Sequence, residues 1–497
     1  MPAPRSRRRR EVLVVGAGLG GLASAVRLQS RGYQVTVLER HAGPGGRCGV
    51  WESAGFRFDT GPTLLLMVEH LRRLFRDAGR APEEYLRLVQ LDPGYRIHYA
   101  DGETLTVSSR LNDMLAEVER LEPGVGPRFL RFLADSGTLY RAGVAFVDRN
   151  VHRPRDFFKA GDAGPLLGGG AFGGLRRFAG RYFRDERLVN AVTFQALYLG
   201  LSPFDAMAVY SLLAHTEIAG GLWFPVGGMH ALPLALERLA RELGAAFEYG
   251  ADVAALEHGG DRVTAARLAD GTRRPADLVL CNADLPYAYE TLLGEPLPRA
   301  DRLRFSCSAF LMYLGVDREY PALPHHTLVV PASLRRCCGD IFDRRGVPAD
   351  PAFYVCNPSK TDPSLAPPGC ENLYVLVPVP STGRGTAIDW SVAGPGLERV
   401  MLERLERFGL TDLRRHLVTR RIFTPADFTA DFGATRGEAF GLSHGFRQIG
   451  WLRPHNRHAR YANLFFVGQS THPGCGVPMQ LIGARCVAER IASEQPA

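Results

Sequence analysis

Residues 11–47 read EVLVVGAGLGGLASAVRLQSRGYQVTVLERHAGPGGR, and this stretch decides the fold. Val12–Val15 is a short apolar run rich in β-branched residues, the pattern of a strand buried on both faces. Gly16-Ala17-Gly18-Leu19-Gly20-Gly21 follows at once and fits G-x-G-x-x-G. Leu22, Ala25, Val26 and Leu28 then recur at helical spacing, and Gly32 ends the helix. Gln34 to Leu38 is a second strand, closed by Glu39. Strand, glycine turn, helix and strand make a βαβ unit that holds a dinucleotide. Gly16, Gly18 and Gly21 allow a tight turn and close backbone approach to a pyrophosphate. The helix N-terminus offers free N–H groups and a positive dipole end. Glu39, followed by Arg40, stands where a carboxylate accepts hydrogen bonds from a ribose.

A lone G-x-G-x-x-G is a weak signal in a chain with 55 glycines. Here it lies between a predicted strand and a predicted helix, with an acid at the expected distance. Gly45-Gly46-Arg47 comes just after that acid. The combination resembles the two-dinucleotide-binding-domain flavoproteins, a superfamily that includes amine oxidases and carotenoid desaturases. The resemblance implies that Gly46 and Arg47 lie along FAD. Glu39, an acid and not a base, favours an unphosphorylated ribose, hence FAD or NAD over NADP.

At 497 residues the chain exceeds one simple core, and two domains are expected. A hydrophobic content of 45% with 23% charged residues is that of an ordinary globular protein. The net charge of +8 suits anionic lipid headgroups or nucleic acid, or simply reflects a genome that writes Arg for Lys. The basic run Arg7–Arg10 reads as a disordered tail. Nine cysteines form no regular framework, and Cys337-Cys338 suits neither a zinc clip nor a redox C-x-x-C. Reduced thiols in a cytoplasmic setting are expected. The N-terminus opens directly into the first strand, so no signal peptide is expected, and no apolar run is long enough to predict a transmembrane helix.

Along the chain, Trp51–Asp59 reads as a β-hairpin and residues 66–80 as a helix. Short strands are expected between Leu88 and Val107 around an Asp101-Gly102 turn. Leu111–Leu121, Arg128–Val147, Leu188–Leu199 and Phe204–His215 show helical spacing, and the last two are apolar enough to cover a cavity. Gly161–Gly174 is a glycine-rich loop or a mobile apolar entrance. Trp223-Phe224-Pro225 breaks any helix, Gly227-Gly228 turns, and a new helix starts at Met229. Glu248–Leu256 and Arg262–Leu268 alternate as paired strands, and Asp277–Asp284 is a strand ending in small and polar residues. Strands are expected at Ser308–Val316, Thr327–Val330, Ala352–Cys356 and Leu373–Val379, with a helix at Leu397–Phe408. Leu464–Val467 is a strand running into a glycine-rich turn, Gly468-Gln469-Ser470-Thr471-His472-Pro473-Gly474-Cys475-Gly476-Val477. A helix from about Met479 follows. That second strand–glycine–helix unit can present its N-terminus to an electron-rich ring edge.

With these motifs placed, the chain resembles the bacterial-type phytoene desaturases of the FAD-dependent carotenoid desaturase family from Val12 to about Ala492. The resemblance rests on VVGAGLGGLASAVRLQSRGYQVTVLER, on GGR at 45–47, FDTGPT at 58–63, WFPVGGMHAL at 223–232 and NLFFVGQSTHPGCGVP at 463–478. Gln469 departs from the small residue more usual there, and Gly483 from the serine often found nearby.

The family implies an α/β, two-domain FAD-binding Rossmann-type flavoprotein, p-hydroxybenzoate hydroxylase or amine oxidase-like, with a mixed α/β substrate domain. Residues 1–90, 220–295 and 435–497 would form the FAD domain, and 91–219 with 296–434 the substrate-binding and membrane-facing domain. Gly468, Gln469 and Val477 would sit at the flavin end and Val253 beside the adenine. The implied reaction is desaturation of a linear carotenoid, phytoene to neurosporene- or lycopene-type products, by hydride transfer to flavin N5 and proton loss. The implied partners are a lipophilic polyene, a membrane surface and a second copy of the chain, with no nucleic acid. Apolar loading around Trp223 and Phe224 makes residues 188–236 the expected dip into a bilayer.

No metal motif occurs in the sequence, and none is expected. Candidate acid–base residues are His472, Asp59 and Asp156, each with a plainer structural reading as a turn-capping or surface group. Alternatives with the same motifs are a 3,4-desaturase, a hydroxyneurosporene-type dehydrogenase, a carotenoid ketolase or oxidase, and a retinol saturase-like enzyme. An amine-oxidase-like enzyme would show an aromatic pair near the C-terminus where THPGCG stands. A flavin-fold accessory protein of the Rab-escort type is the non-catalytic alternative.

Overall fold

The structure is a computed structural model that describes residues 9–158, 163–383 and 388–497. Arg7 and Arg8 of the expected basic tail lie outside the described residues, as do residues 161 and 162 of the glycine-rich segment.

Val12 and Val14 enter one core while Leu13 and Val15 enter another, so the first strand is buried on both faces. It forms the middle of a five-stranded parallel sheet. The order is Leu464–Phe466, Leu278–Cys281, Glu11–Val15, Gln34–Glu39 and Ala246–Tyr249. Helices Leu19–Gln29, Ala231–Glu242 and Val477–Glu494 cover one face. A three-stranded antiparallel sheet (Val253–Gly259, Arg262–Leu268, Arg273–Pro275) and the short helical segments Leu285–Tyr287 and Ala288–Leu293 cover the other. The hairpin expected at Trp51–Asp59 forms from Val50–Ser53 and Phe56–Asp59.

A second sheet has seven strands. They run Leu417–Phe423, Ser308–Val316, Glu371–Val379, Phe353–Cys356, His326–Val329, Tyr95–His98 and Thr104–Val107. The alternation in Ser308–Val316 sends Phe310, Met312 and Leu314 under helix Trp390–Phe408. Its other face, with Ala309, Leu311, Tyr374 and Leu376, forms a cavity wall. Opposite stands a helical layer built around Leu111–Leu121, Gly126–Val147 and Ser211–Gly220.

Three expectations are corrected. Leu188–Leu199 is not one helix but a helix over Glu186–Ala191 and a 3₁₀ segment over Phe194–Leu199. The break falls at Thr193, whose hydroxyl takes the Val189 carbonyl while Gln195 Nε2 takes that of Ala191. Phe204–His215 is helical only from Ala208, as 3₁₀ Ala208–Tyr210 and helix Ser211–Gly220. Ala208 and Val209 instead give their N–H groups to the carbonyls of Gly173 and Ala171. Glu248–Leu256 splits between two sheets at Gly250, which has φ +70°.

The bilayer-dip reading of residues 188–236 is also not supported at its motive residues. Phe224 is 1% exposed and packs edge-on to His325 at 4.8 Å. Trp223 lies under the Arg72 guanidinium and donates its indole N–H to Gly220 O. Both belong to strand Leu222–Pro225, paired with Leu88–Leu91. No helix among the described residues is long and apolar enough to cross a membrane.

Gly21 shows how tightly the first turn is built: a Cβ there would sit 2.1 Å from the Gly16 carbonyl oxygen. A Gly21→Ala variant must push helix Leu19–Gln29 off the sheet. It is expected to purify without the visible absorbance of bound flavin while keeping most of its far-UV circular dichroism, and a variant that purifies yellow would contradict this packing.

Candidate active site

One continuous cavity of about 840 Å³ runs between the two sheets and the helical layer. At one end it is bounded by backbone: Gly16, Gly18, Gly20, Gly45 and Gly46. These turns are held together by Asn282, which follows strand Leu278–Cys281. Its N–H donates to Val15 O and its side-chain Nδ2 to Val467 O at 2.9 Å. A Cβ on Gly18 would meet Asn282 Oδ1 at 2.7 Å, and one on Gly20 would meet Asn282 Nδ2 at 2.9 Å. The bare backbone is therefore a cradle that any side chain would fill.

Glu39 is buried at the cavity edge. Its Oε2 accepts the Ala17 N–H at 2.7 Å and its Oε1 the His41 N–H at 2.9 Å. Arg40 and Val253 line the same end, beside Ala251 and Asp252. Gly21 does not line the cavity; it packs behind it.

In the middle of the cavity Arg47 meets the C-terminal turn. With its amide oriented to suit its neighbours, Gln469 Oε1 lies 2.9 and 3.1 Å from the Arg47 guanidinium nitrogens and accepts the Gly441 N–H at 2.9 Å. The unusual residue after Gly468 is thus a partner for Arg47. Arg47 Nε is buried without a partner among the described residues. Gly468, Gln469 and Val477 line the cavity, where helix Val477–Glu494 begins. Backbone cradle, ribose-side carboxylate, orphan Arg47 donor and helix N-terminus fit FAD in kind and in order.

Beyond Arg47 the walls become apolar: Val144, Phe194, Leu197, Val209, Leu328 and Leu376 among others.

The chain matches the model for "flavin containing amine oxidoreductase" over residues 19–314. It is 46% identical to a zeta-carotene-forming phytoene desaturase of Myxococcus xanthus over 97% of this chain and 94% of that protein. It is 37% identical to a lycopene-forming phytoene desaturase of Pseudescherichia vulneris over 96% and 98%. The chain belongs to the carotenoid desaturase branch of the flavin-containing amine oxidoreductases. An oxidoreductase of Methanosarcina mazei shares the fold at 19% identity, with a TM-score of 0.63 over 96% of this chain and all of that one.

Within this carotenoid desaturase, the three candidate acid–base residues have other work. Asp59 lies off the cavity: its carboxylate accepts the Met229 N–H at 2.7 Å and the His230 N–H at 2.9 Å, anchoring the turn before helix Ala231–Glu242. Burial pushes its pKa up to about 6. Asp156 also lies off the cavity and accepts the N–H groups of His152 and Arg153. His472 does line the cavity, yet its Nε2 sits 2.9 Å from Arg149 O and 3.2 Å from Val147 O. That nitrogen carries a proton shared between two carbonyls, which ties the flavin-side turn to the end of helix Gly126–Val147 and leaves it unable to accept another.

Two features escaped the sequence reading. Arg453, 1% exposed, donates to the carbonyls of Leu442, Ser443, Gln448, Gln469 and Thr471 and straps two loops to the C-terminal turn. Asp284 and Glu438 are buried near Arg47; burial raises both, Glu438 to about 8 with the Asp284 charge adding to the effect. The partners of all three come from distant segments, so no local motif announces them. His325, His326 and Cys356 bring potential ligand atoms within 4.8 Å of one another, but off this cavity.

Burial lowers the His472 pKa to about 4. For a base with a lowered folded-state pKa, the stabilisation is complete above the unfolded value near 6.5 and is lost as pH falls towards 4. Thermal melts of His472→Gln are therefore expected to show a shallower fall in Tm between pH 6.5 and 4 than the wild type. Parallel slopes would show that His472 is protonated in the fold.

Proposed function

We propose that this protein is an FAD-dependent desaturase of a linear carotenoid, with phytoene as substrate. The observation that carries the reading is the single cavity: a dinucleotide cradle at one end opens, without a partition, into a long apolar chamber. FAD would be held by Gly16, Gly18, Glu39, Arg40, Gly46, Arg47, Val253, Gly468, Gln469 and Val477, with Gly21 behind the cradle letting the turn close. Bound FAD would supply the acceptor for the allylic hydride. The rest is the chain's own contribution. The apolar walls exclude water from the cation left on the polyene and hold the chain extended. Arg47, positioned by Gln469, would place positive charge beside the bound cofactor. The two-domain division given above is supported by strand origins: the parallel sheet takes its strands from residues 11–39, 246–281 and 464–466, and the seven-stranded sheet from 95–107, 308–379 and 417–423.

The entrance supports attachment to a membrane surface. Phe446 is 57% and Leu452 46% exposed, and both line the cavity. The Phe446 ring stands edge-on to Phe172 at 5.6 Å, and exposed Arg447 is its neighbour in sequence. Apolar rims beside basic groups suit anionic bilayers. Leu166 and Phe172 place part of the glycine-rich segment at the same cavity.

Holoenzyme mixed anaerobically with phytoene in liposomes should lose its flavin absorbance and yield zeta-carotene, neurosporene or lycopene on chromatography. Unreduced flavin with phytoene, but reduction by a hydroxycarotenoid or lycopene, would move the assignment to a later step of the same chemistry. A Phe446→Glu/Leu452→Glu double variant should bind FAD normally but lose most of its co-flotation with anionic vesicles; unchanged flotation would place the membrane-facing surface elsewhere.

A further inference from the structure

Desaturation removes a proton as well as a hydride; Asp59 lies off the cavity, and His472 Nε2 is held by two backbone carbonyls. The structure holds another carboxyl group against the chamber. Glu217, on helix Ser211–Gly220, is 1% exposed. Its Oε2 accepts Tyr95 Oη–H at 2.7 Å and Gln195 Nε2–H at 2.9 Å, while its Oε1 has no partner among the described residues. The Tyr198 hydroxyl also interacts with this carboxyl group. Of the four members of the cluster, Tyr198 alone lines the cavity.

The cluster stands near the flavin end of the chamber. Tyr198 and Leu199 line the cavity together with His444, whose Nε2 accepts the Cys475 N–H at 3.2 Å in the C-terminal glycine turn. The Tyr210 hydroxyl donates to His444 O at 2.6 Å, tying the helix that carries Glu217 to the same loop. Thr216 and Leu213, flanking Glu217 on its helix, line the chamber wall.

Resting on the desaturase reading, we infer that Glu217 is the proton sink of the reaction, acting through the Tyr198 hydroxyl on the chamber wall. After hydride removal the substrate is an allylic cation, and the C–H bond on the adjacent carbon breaks. Its electron pair becomes the new C=C bond. Its proton passes to Tyr198 Oη as the proton already on that oxygen passes to Glu217. Charge is conserved: the cation becomes a neutral polyene and the carboxylate a neutral acid. Tyr198 is the catalytic residue and Glu217 the positioning residue behind it. Before hydride loss the ionised carboxylate also lowers the potential of the wall where positive charge will form. The titratable groups facing Glu217 are Tyr95 and Tyr198, and no arginine, lysine or histidine contributes to its ionisation. Burial raises its pKa to about 7, which suits a group that must take up and release a proton near neutrality.

The test is anaerobic single-turnover conversion of phytoene in liposomes by the holoenzyme across pH, with the rate read from desaturated product in quenched samples and flavin reduction followed in parallel. The wild-type rate should rise with pH through about 7. Glu217→Gln should retain bound FAD and the phytoene KM, lose that limb and react at least ~100-fold more slowly. Deuterium on the carbon that loses the proton should give a larger isotope effect in this variant than in the wild type. Infrared titration of the holoenzyme should show one protonated carboxyl band disappearing through pH 7 in the wild type and missing from Glu217→Gln, a readout independent of turnover. Tyr198→Phe should slow the reaction to a similar extent, and the double variant should be no worse than either single one. A Glu217→Gln enzyme with the wild-type rate and pH profile overturns the inference. If that variant does not fold, Tyr198→Phe decides alone, and a wild-type rate in it overturns the inference equally. A wild-type flavin that no carotenoid reduces overturns the desaturase reading and this inference together.

Discussion

The side chain of Asn282 is the wedge on which both halves of the site depend. It sits between two glycine turns that are more than four hundred residues apart in sequence, bonding the first strand through its backbone and the last through its amide. The glycines around it are fixed by contact: Gly16, Gly18 and Gly20 each have Asn282 as the nearest obstacle to a Cβ. The strand before Asn282 is what brings it there, because Leu278–Cys281 pairs with Glu11–Val15 on one side and Leu464–Phe466 on the other. Cradle, Arg47 pocket and helix N-terminus are therefore registered to one another by backbone hydrogen bonds of a single sheet, and the apolar chamber is built outward from that reference.

Much of this was legible in the sequence because it is local. The βαβ unit declares itself through strand, glycines, helix and acid within one continuous run, and the C-terminal strand–turn–helix does the same. What the residues could not declare was direction. Trp223 and Phe224 look like a membrane contact by composition, yet the ladder with Leu88–Leu91 turns Phe224 into the core and brings Trp223 under Arg72. Hydropathy records that a side chain avoids water, not whether protein or lipid shields it. Likewise Glu248–Leu256 alternates like one strand, and only Gly250 shows that it serves two sheets.

The polar groups in the interior were the least readable. Glu217, Arg453, Asp284 and Glu438 owe their states to partners on other segments, and a buried guanidinium with five carbonyl acceptors looks, in a sequence, like any surface arginine. Gln469 is the instructive intermediate: recognisable as a departure from its family, it becomes intelligible once Arg47 is seen opposite. Electrostatic design in a low-dielectric interior is a property of tertiary neighbours.

The strand order of the parallel sheet has a consequence for biosynthesis. The first strand emerges from the ribosome early, but one of its neighbours follows only at Leu278 and the outermost strand only at Leu464. Until then the nascent chain carries an apolar βαβ unit with an unpaired edge, the kind of surface that aggregates or recruits a chaperone. The prosthetic group cannot be clasped before Leu464–Phe466 has been made, so a ribosome that stalls short of that strand releases a chain with every glycine of the first motif and nowhere to seat its cofactor.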